Sequence, residues 1–339
     1  MNYFSAIDLH SNNLVLVILD EQDRSMVEKR LDNNLPAVLA ELEPYRETIQ
    51  GIAVESTFNW YWLVDGLMAA GYSIHLVNTA AVQTYSGLKY SNDVHDARWL
   101  AKLLHLGILP TGYIYPKEQR KVRDLLRKRG GLVHQRSQNI SSFKCLYARQ
   151  QGITLNINAI HKDIEQFCFD DPLLEASGAP HKHIYRLLTE EISTLENLVI
   201  SQIKESDIYS HLRTTPGIGK ILAATISLET GDVRRFEQVG NYASYCRCVK
   251  STRISNNKIK GKGNAKCGNK YLSWAYSEAA HFAIRYNKSV KRFYERKKRK
   301  SNGIIAMRAV AHKLARALSM STHIDPFHVH HNRSTLCAA

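Results

Sequence analysis

Four acidic residues stand where packing alone does not call for an acid. Asp8 lies near the end of the apolar stretch YFSAIDL, between Ile7 and Leu9, and Glu55 closes GIAVE. Asp93 and Asp96 stand three apart at the start of DVHDARWLAKLL, on one face of an expected helix. One carboxylate in a first turn suits the helix dipole and caps free N–H groups. Two on the same face repel each other. Each acid also has an ordinary reading: Asp8 as a turn residue, Glu55 as an arginine's partner, Asp93 as a cap, Asp96 as a solvated side chain. Gathered around one point, the four need a cation to cancel their repulsion. Hard oxygen ligands with open positions favour Mg²⁺ or Mn²⁺. Such a site polarises a phosphate and stabilises the attacking and leaving oxygens of a phosphoryl transfer. His10 and His95 sit beside these acids and are read as packing groups or as supports behind the ligands.

The elements that must position these residues are legible around them. YFSAIDL and LVLVILD, separated by SNN, predict a hairpin, with a weaker third strand near MVEKRL. LPAVLAELEPYRE predicts an amphipathic helix, GIAVEST a buried strand, FNWYWLVDGLMAAG a helix ended by Gly71, and YSIHLVN another strand. The order β-β-β-α-β-α-β-α joins an antiparallel meander to later parallel strands, which is an α/β layer fold. Ligands in such sheets collect at strand carboxyl ends, where Asp8 and Glu55 stand.

Charge separates this region from the rest. The 339-residue chain has 46 Lys+Arg and 31 Asp+Glu, a formal charge of +15. Residues 1–115 carry 7 basic and 13 acidic side chains, and the remainder 39 and 18. Positive charge concentrated in one part of a chain points to a polyanion, most often nucleic acid. The six cysteines include no CxxC pair; Cys246-x-Cys248 followed by Cys267 reads as reduced thiols rather than a zinc site. MNYFSAIDLH has no signal-peptide pattern, and no apolar run approaches the ~20 residues that span a bilayer. A cytoplasmic protein without a membrane partner is expected.

The middle of the chain, from about Lys117 to Gln151, reads as helical and basic, interrupted at Gly130-Gly131. Arg120, Lys121, Arg123, Arg127, Lys128 and Arg129 crowd it and suggest a phosphate-contacting and dimerising arm. A second helix is expected from about Lys182 to Glu205, the two forming an antiparallel coiled coil, with FCFDDPLLEASGAPH as loop between them. Further on, Pro216-Gly217-Ile218-Gly219 and Lys220 form a tight turn entering a helix. It resembles a helix-hairpin-helix DNA contact, and a packed turn is the alternative. Lys250, Arg253, Lys258, Lys260, Lys262, Lys266 and Lys270 lie among glycines in an expected phosphate-binding loop. Lys288 to Lys300 is another basic run, containing Phe293 and Tyr294, and GIIAMRAVAHKLARALSM is an apolar-faced helix. The expected organisation is a catalytic domain at 1–115, basic coiled-coil helices at 116–205, a mostly α-helical C-terminal domain at 206–322, and a flexible tail at 323–339.

The set Asp8-Leu9-His10, Glu55 and Asp93-Val94-His95-Asp96-Ala97 resembles the DEDD site of RNase H-like, RuvC-like domains. Downstream follow Pro216-Gly217-Ile218-Gly219, Thr230-Gly231-Asp232, Arg235-Phe236 and Gly268-Asn269-Lys270-Tyr271-Leu272. Taken together, the chain resembles, over nearly its whole length, the DEDD insertion-sequence transposases of the one-ten family, the bridge-RNA-guided recombinases. That resemblance implies a nucleophilic serine. Counting back from Gly268 places it at Ser255, in Ser255-Asn256-Asn257-Lys258, where two asparagines replace the family's two glycines. Asn tolerates the left-handed conformation such a turn needs. Ser251 and Thr252 are the neighbouring hydroxyls. The resemblance also implies a phosphoserine–DNA intermediate assisted by a metal on Asp8, Glu55, Asp93 and Asp96. Its implied partners are double-stranded donor and target DNA, a structured guide RNA, and a homodimer or homotetramer at the bacterial nucleoid. Two other readings stay open: a RuvC-like endonuclease that hydrolyses DNA with the carboxylates alone, and a non-catalytic nucleic-acid-binding remnant.

Overall fold

A computed structural model describes residues 1–82, 92–261 and 267–323, with side chains as far as residue 318. The chain divides into two compact units, with the boundary between Lys117 and Glu118.

The first unit is built on the strands β1 (Tyr3–Leu9), β2 (Asn13–Leu19), β3 (Ser25–Asp32), β4 (Ile49–Glu55) and β5 (Ile74–Val77). Their order in the sheet is β3-β2-β1-β4-β5. The first three pair antiparallel, while β4 runs parallel to β1 and β5 parallel to β4, as the meander-then-parallel pattern predicts. Helices α1 (Leu35–Leu42), α2 (Tyr61–Ala69), α3 (Thr79–Val82) and α4 (Asp93–His105) complete the unit. Asn34 starts α1 by accepting from the Ala37 N–H. The helix expected to run on through LEPYRE ends at Leu42 and tightens into a 3₁₀ turn over Glu43–Tyr45, because Pro44 has no N–H to continue the ladder.

Side-chain alternation sorts the sheet into two faces. Ile7, Leu9, Leu16, Ile52 and Val54 pack with Val38 and Leu42 of α1 and Leu63 and Leu67 of α2. The opposite face carries Ala6, Val15, Val17 and Ala53 and packs with Ala97, Leu100 and Ala101 of α4. The alanines on both sides of that layer let α4 lie close to the strands. Inner strands covered on both faces read as continuous apolar runs, as β2 does.

The second unit opens with α5 (Lys117–Gln151), a single helix of 35 residues. Gly130-Gly131 does not interrupt it. Two glycines cost about 1 kcal/mol each in a helix interior, less than the packing of a long helix recovers. After α6 (Ile157–Lys162) comes α7 (Pro172–Ile203). It begins well before the expected Lys182, so most of the presumed loop is helix. Asp171 caps it by accepting from the Leu173 and Leu174 N–H groups, and Pro172 occupies the first turn, where its missing N–H does no harm. Helices α5 and α7 pair antiparallel through Arg129–Glu196, Arg136–Thr189 and Asn139–His181 contacts. Ile140, Phe143, Phe169 and Tyr185 pack at one end of the pair.

Then follow α8 (Asp207–Arg213), α9 (Lys220–Thr230), α10 (Val239–Tyr245), β6 (Arg253–Ser255), β7 (Lys258–Gly261), α11 (Lys270–Tyr286), α12 (Lys288–Lys300) and α13 (Gly303–His323). Alanine-rich faces of α9, α11 and α13 form the centre of this unit's core, which also takes in Cys246 and Cys248. Burial pushes the Cys248 thiol up to about 11. The expected loop after Lys250 is in part a hairpin: β6 and β7 pair antiparallel, with Ser255 opposite Lys258. Asn256 and Asn257 form its turn with φ of 50° and 54°. Positive φ at both central residues is the two-residue turn that matches strand twist, so the asparagines serve where glycines were anticipated. Lys262 and Lys266 lie outside the described residues, as does the tail from residue 324. Among the described residues, no helix is long and apolar enough to cross a membrane.

Candidate active site

Strand alternation decides which way the acids point. Ala6 and Ala53 face α4 while Ile7 and Val54 face α1 and α2. Asp8 and Glu55, two residues beyond those alanines, therefore project on the α4 side at the carboxyl ends of adjacent parallel strands. Asn92 starts α4 by accepting from the His95 N–H, and Asp93 and Asp96 fall in its first turn. The apolar face of α4, through Ala97, Leu100 and Ala101, holds that turn over the sheet.

Asp8 is 3% exposed. Its carboxyl hydrogen-bonds to Glu55, and Asp96 adds charge repulsion to the same group. Burial first, then these two neighbours, pushes Glu55 up to about 8. At neutral pH and without a cation, Glu55 therefore holds a proton. Asp93 is held below the usual carboxylate range, chiefly by its hydrogen bond from the Arg30 guanidinium on β3.

His10 completes the cluster. Its Nε2 lies 3.2 Å from Asp93 and 3.4 Å from Asp8. That nitrogen is shielded from solvent, yet aligned with neither acid for a hydrogen bond. Asp8, His10 and Asp93 each offer one ligand atom, all within 4.8 Å of one another. A ring nitrogen beside two carboxylate oxygens is a donor set that can hold a divalent cation. Sequence reasoning placed His10 behind the ligands and missed Arg30. Period-two spacing from Asp8 was the signal that puts His10 on the same face. His95 is exposed and donates its backbone N–H to Asn92.

The predicted nucleic-acid residues fall into distinct environments. Arg120 and Arg123 are buried. Arg127 forms a two-pronged pair with Glu229 at 2.6 and 2.7 Å and lies over the Tyr271 ring. Asn269, the α11 cap, donates to the same Glu229 at 2.7 Å. Arg129 pairs with Glu196 and Lys121 with Glu118, while Lys128 is exposed. Gly217, with φ of 93°, abuts α11: a Cβ there would sit 2.6 Å from the Ala283 nitrogen. Gly219 and Lys220 are exposed on the rim of a cleft of roughly 740 Å³ that Arg213 and Tyr286 also line. Lys250, Arg253, Ser255, Lys258, Lys260 and Lys270 are all exposed, and Ser251 and Thr252 half-buried. Ser255 and Lys258, directly opposed, share one face of the hairpin.

Two family comparisons match separate parts of the chain. The IS110 DEDD transposase family matches residues 6–146, which hold all four carboxylates. The family described as "Transposase IS116/IS110/IS902 family" matches residues 209–295, which hold the cleft turn and the hairpin. The chain is also 24% identical over 227 residues to "Putative transposase y4qE" of Sinorhizobium fredii, covering 65% of this chain and 55% of that protein. It thus spans about half the length of that relative. With acids at the strand ends of an α/β sheet, the chain is thus similar in two separate parts to IS110-group insertion-sequence transposases.

Proposed function

We propose that this protein excises and inserts an insertion sequence by cutting and rejoining DNA, with Asp8, Glu55, Asp93 and Asp96 holding Mg²⁺ or Mn²⁺ and His10 as a further ligand. The observation that carries this reading is the cluster of Asp8, His10 and Asp93, whose ligand atoms lie within 4.8 Å of one another, with Glu55 hydrogen-bonded to Asp8. Glu55, kept protonated by burial and then by its acidic neighbours, marks a site short of positive charge. A cation bound there supplies charge stabilisation to a pentavalent phosphoryl transition state.

Ser255 is the proposed nucleophile. Its Oγ forms a bond to phosphorus as one P–O bond to deoxyribose breaks; the hydroxyl proton ends on the departing oxygen. The resulting phosphoserine ester conserves the bond energy. A DNA hydroxyl from another strand then attacks the same phosphorus and releases Ser255 Oγ, which regains its proton. Lys258, opposite Ser255, and Arg253 on the same exposed hairpin are suited to hold the phosphate. The exposed Lys128, Gly219, Lys220, Lys250, Lys260 and Lys270 are the remaining candidates for backbone contact. In this reading a structured RNA guides donor and target DNA, and the α5–α7 pair joins protomers as a coiled coil.

The test is adduct trapping. Protein, Mg²⁺ or Mn²⁺, the element's flanking RNA and junction DNA are mixed and run on a denaturing gel, with Ser255→Ala and Asp96→Ala alongside. A protein–DNA adduct in the wild type, absent from both variants, supports the serine mechanism. Cleavage that persists in Ser255→Ala without any adduct replaces it with direct hydrolysis.

A further inference from the structure

Helix α12 is the most cationic element of the chain, and none of the contacts described so far uses it. Eight of its 13 residues are Lys or Arg and one, Glu295, is acidic. None of its residues is buried. Its inner side is settled by packing: Val290, Phe293 and Tyr294 rest against the core of the second unit. At 100° per residue, Lys291 and Lys298 then run along one edge of the outer face. Arg292, Arg296 and Arg299 form a second row about 120° around the helix, with Glu295 between the rows. Arg296 lies 5.7 Å from the Phe293 ring and Lys298 5.8 Å from the Tyr294 ring, so both stems follow the margins of the apolar strip. Among the described residues, none of these five cations forms an ion pair, in contrast to Lys121, Arg127 and Arg129 of α5.

We infer that the outer face of α12 is a docking surface for double-stranded DNA, laid along the major groove with its two cationic rows against the flanking phosphate strands. That the polyanion is a nucleic acid rests on the transposase reading above; the geometry selects the duplex. Thirteen residues span about 20 Å, and a helix about 10–12 Å across fits a major groove about 12 Å wide. Cations in two rows, rather than along one line, match two phosphate ridges. The deep, narrow major groove of A-form RNA admits no such helix. A membrane surface is disfavoured because the apolar side that would insert is already covered by the core.

The experiment uses the full chain and a 30-base-pair DNA duplex. Binding is followed by fluorescence anisotropy at several salt concentrations, for wild type and for Lys291→Gln/Arg292→Gln/Arg296→Gln/Arg299→Gln. Each lost phosphate contact removes about 0.9 from the slope of log K against log salt. The quadruple variant is expected to lose about 3.6 of that slope and at least tenfold in affinity near 0.1 M salt, with its melting temperature unchanged. The four single variants, each lowering the slope by about 0.9, decide the matter if the quadruple variant does not fold. Lys162→Gln serves as an exposed cation of α6 outside every proposed contact. Unchanged DNA binding and slope in the α12 variants overturn the inference. So does a loss confined to an RNA duplex or to anionic phosphatidylserine vesicles. Metal-dependent strand cleavage is scored separately at saturating protein: a wild type that binds through α12 but never cleaves counts against the transposase reading, not against the surface.

Discussion

At the scale of single residues, Glu55 is the most informative group. An ordinary glutamate ionises near 4.5; here burial and the Asp8 and Asp96 carboxyls move it to about 8. Because the folded state holds this proton more tightly than the unfolded chain, the favourable contribution is complete below pH 4.5 and is lost as pH rises through 8. The metal-free protein should therefore lose thermal stability steadily between pH 5 and pH 8. Glu55→Gln, which cannot ionise, should flatten that dependence in melts taken across the range. A bound cation should do the same, since it takes over the charge the proton was cancelling. Much of this site was visible in the amino-acid order, because an acid that closes an apolar strand is conspicuous. The closeness of the His10 ring to both Asp8 and Asp93, and the part of Arg30, were not: a histidine gains its meaning from the atoms facing its ring, and Arg30 is distant in sequence from the Asp93 it holds.

At the scale of elements, the strands of the first unit were legible because both period-two alternation and Gly or Asn punctuation agree there. The second unit was less so. Gly130-Gly131 and the Pro and Gly residues around Pro172 read as breaks, yet α5 and α7 run through them because each helix is held along its length by the other. The basic crowd on α5 likewise looked like a phosphate-binding face, and composition cannot tell a solvated arginine from one matched to a distant acid. Arg127 is the clearest case. It neutralises Glu229, which is 1% exposed and sits among α5, α9 and α11. Arg127→Met should strand that carboxylate and cost about 3 kcal/mol in urea unfolding. Adding Glu229→Leu should recover most of the loss; a single variant as stable as wild type would show the pair to be dispensable.

At the scale of the whole molecule, charge and chemistry are divided. The first 115 residues are net acidic and hold the carboxylates, while the cations lie beyond them. Each unit has its own apolar core, the sheet layers in one and the helix bundle in the other. Residues 1–116 expressed alone should accordingly melt in one cooperative step, at a temperature raised by Mn²⁺ in the wild type and not in Asp8→Ala. A broad, metal-insensitive melt would mean that the sheet needs the rest of the chain. Ala53, Ala97 and Ala101 set the gap between α4 and the sheet much as a shim sets the gap between two plates. A single base change turns alanine into valine, and the added bulk lifts Asp93 and Asp96 away from Asp8 and Glu55 while leaving both apolar layers in place. If the protein moves an element as proposed, copies of it can thus fall silent by drift without unfolding, and a genome can carry them as intact proteins that no longer move anything.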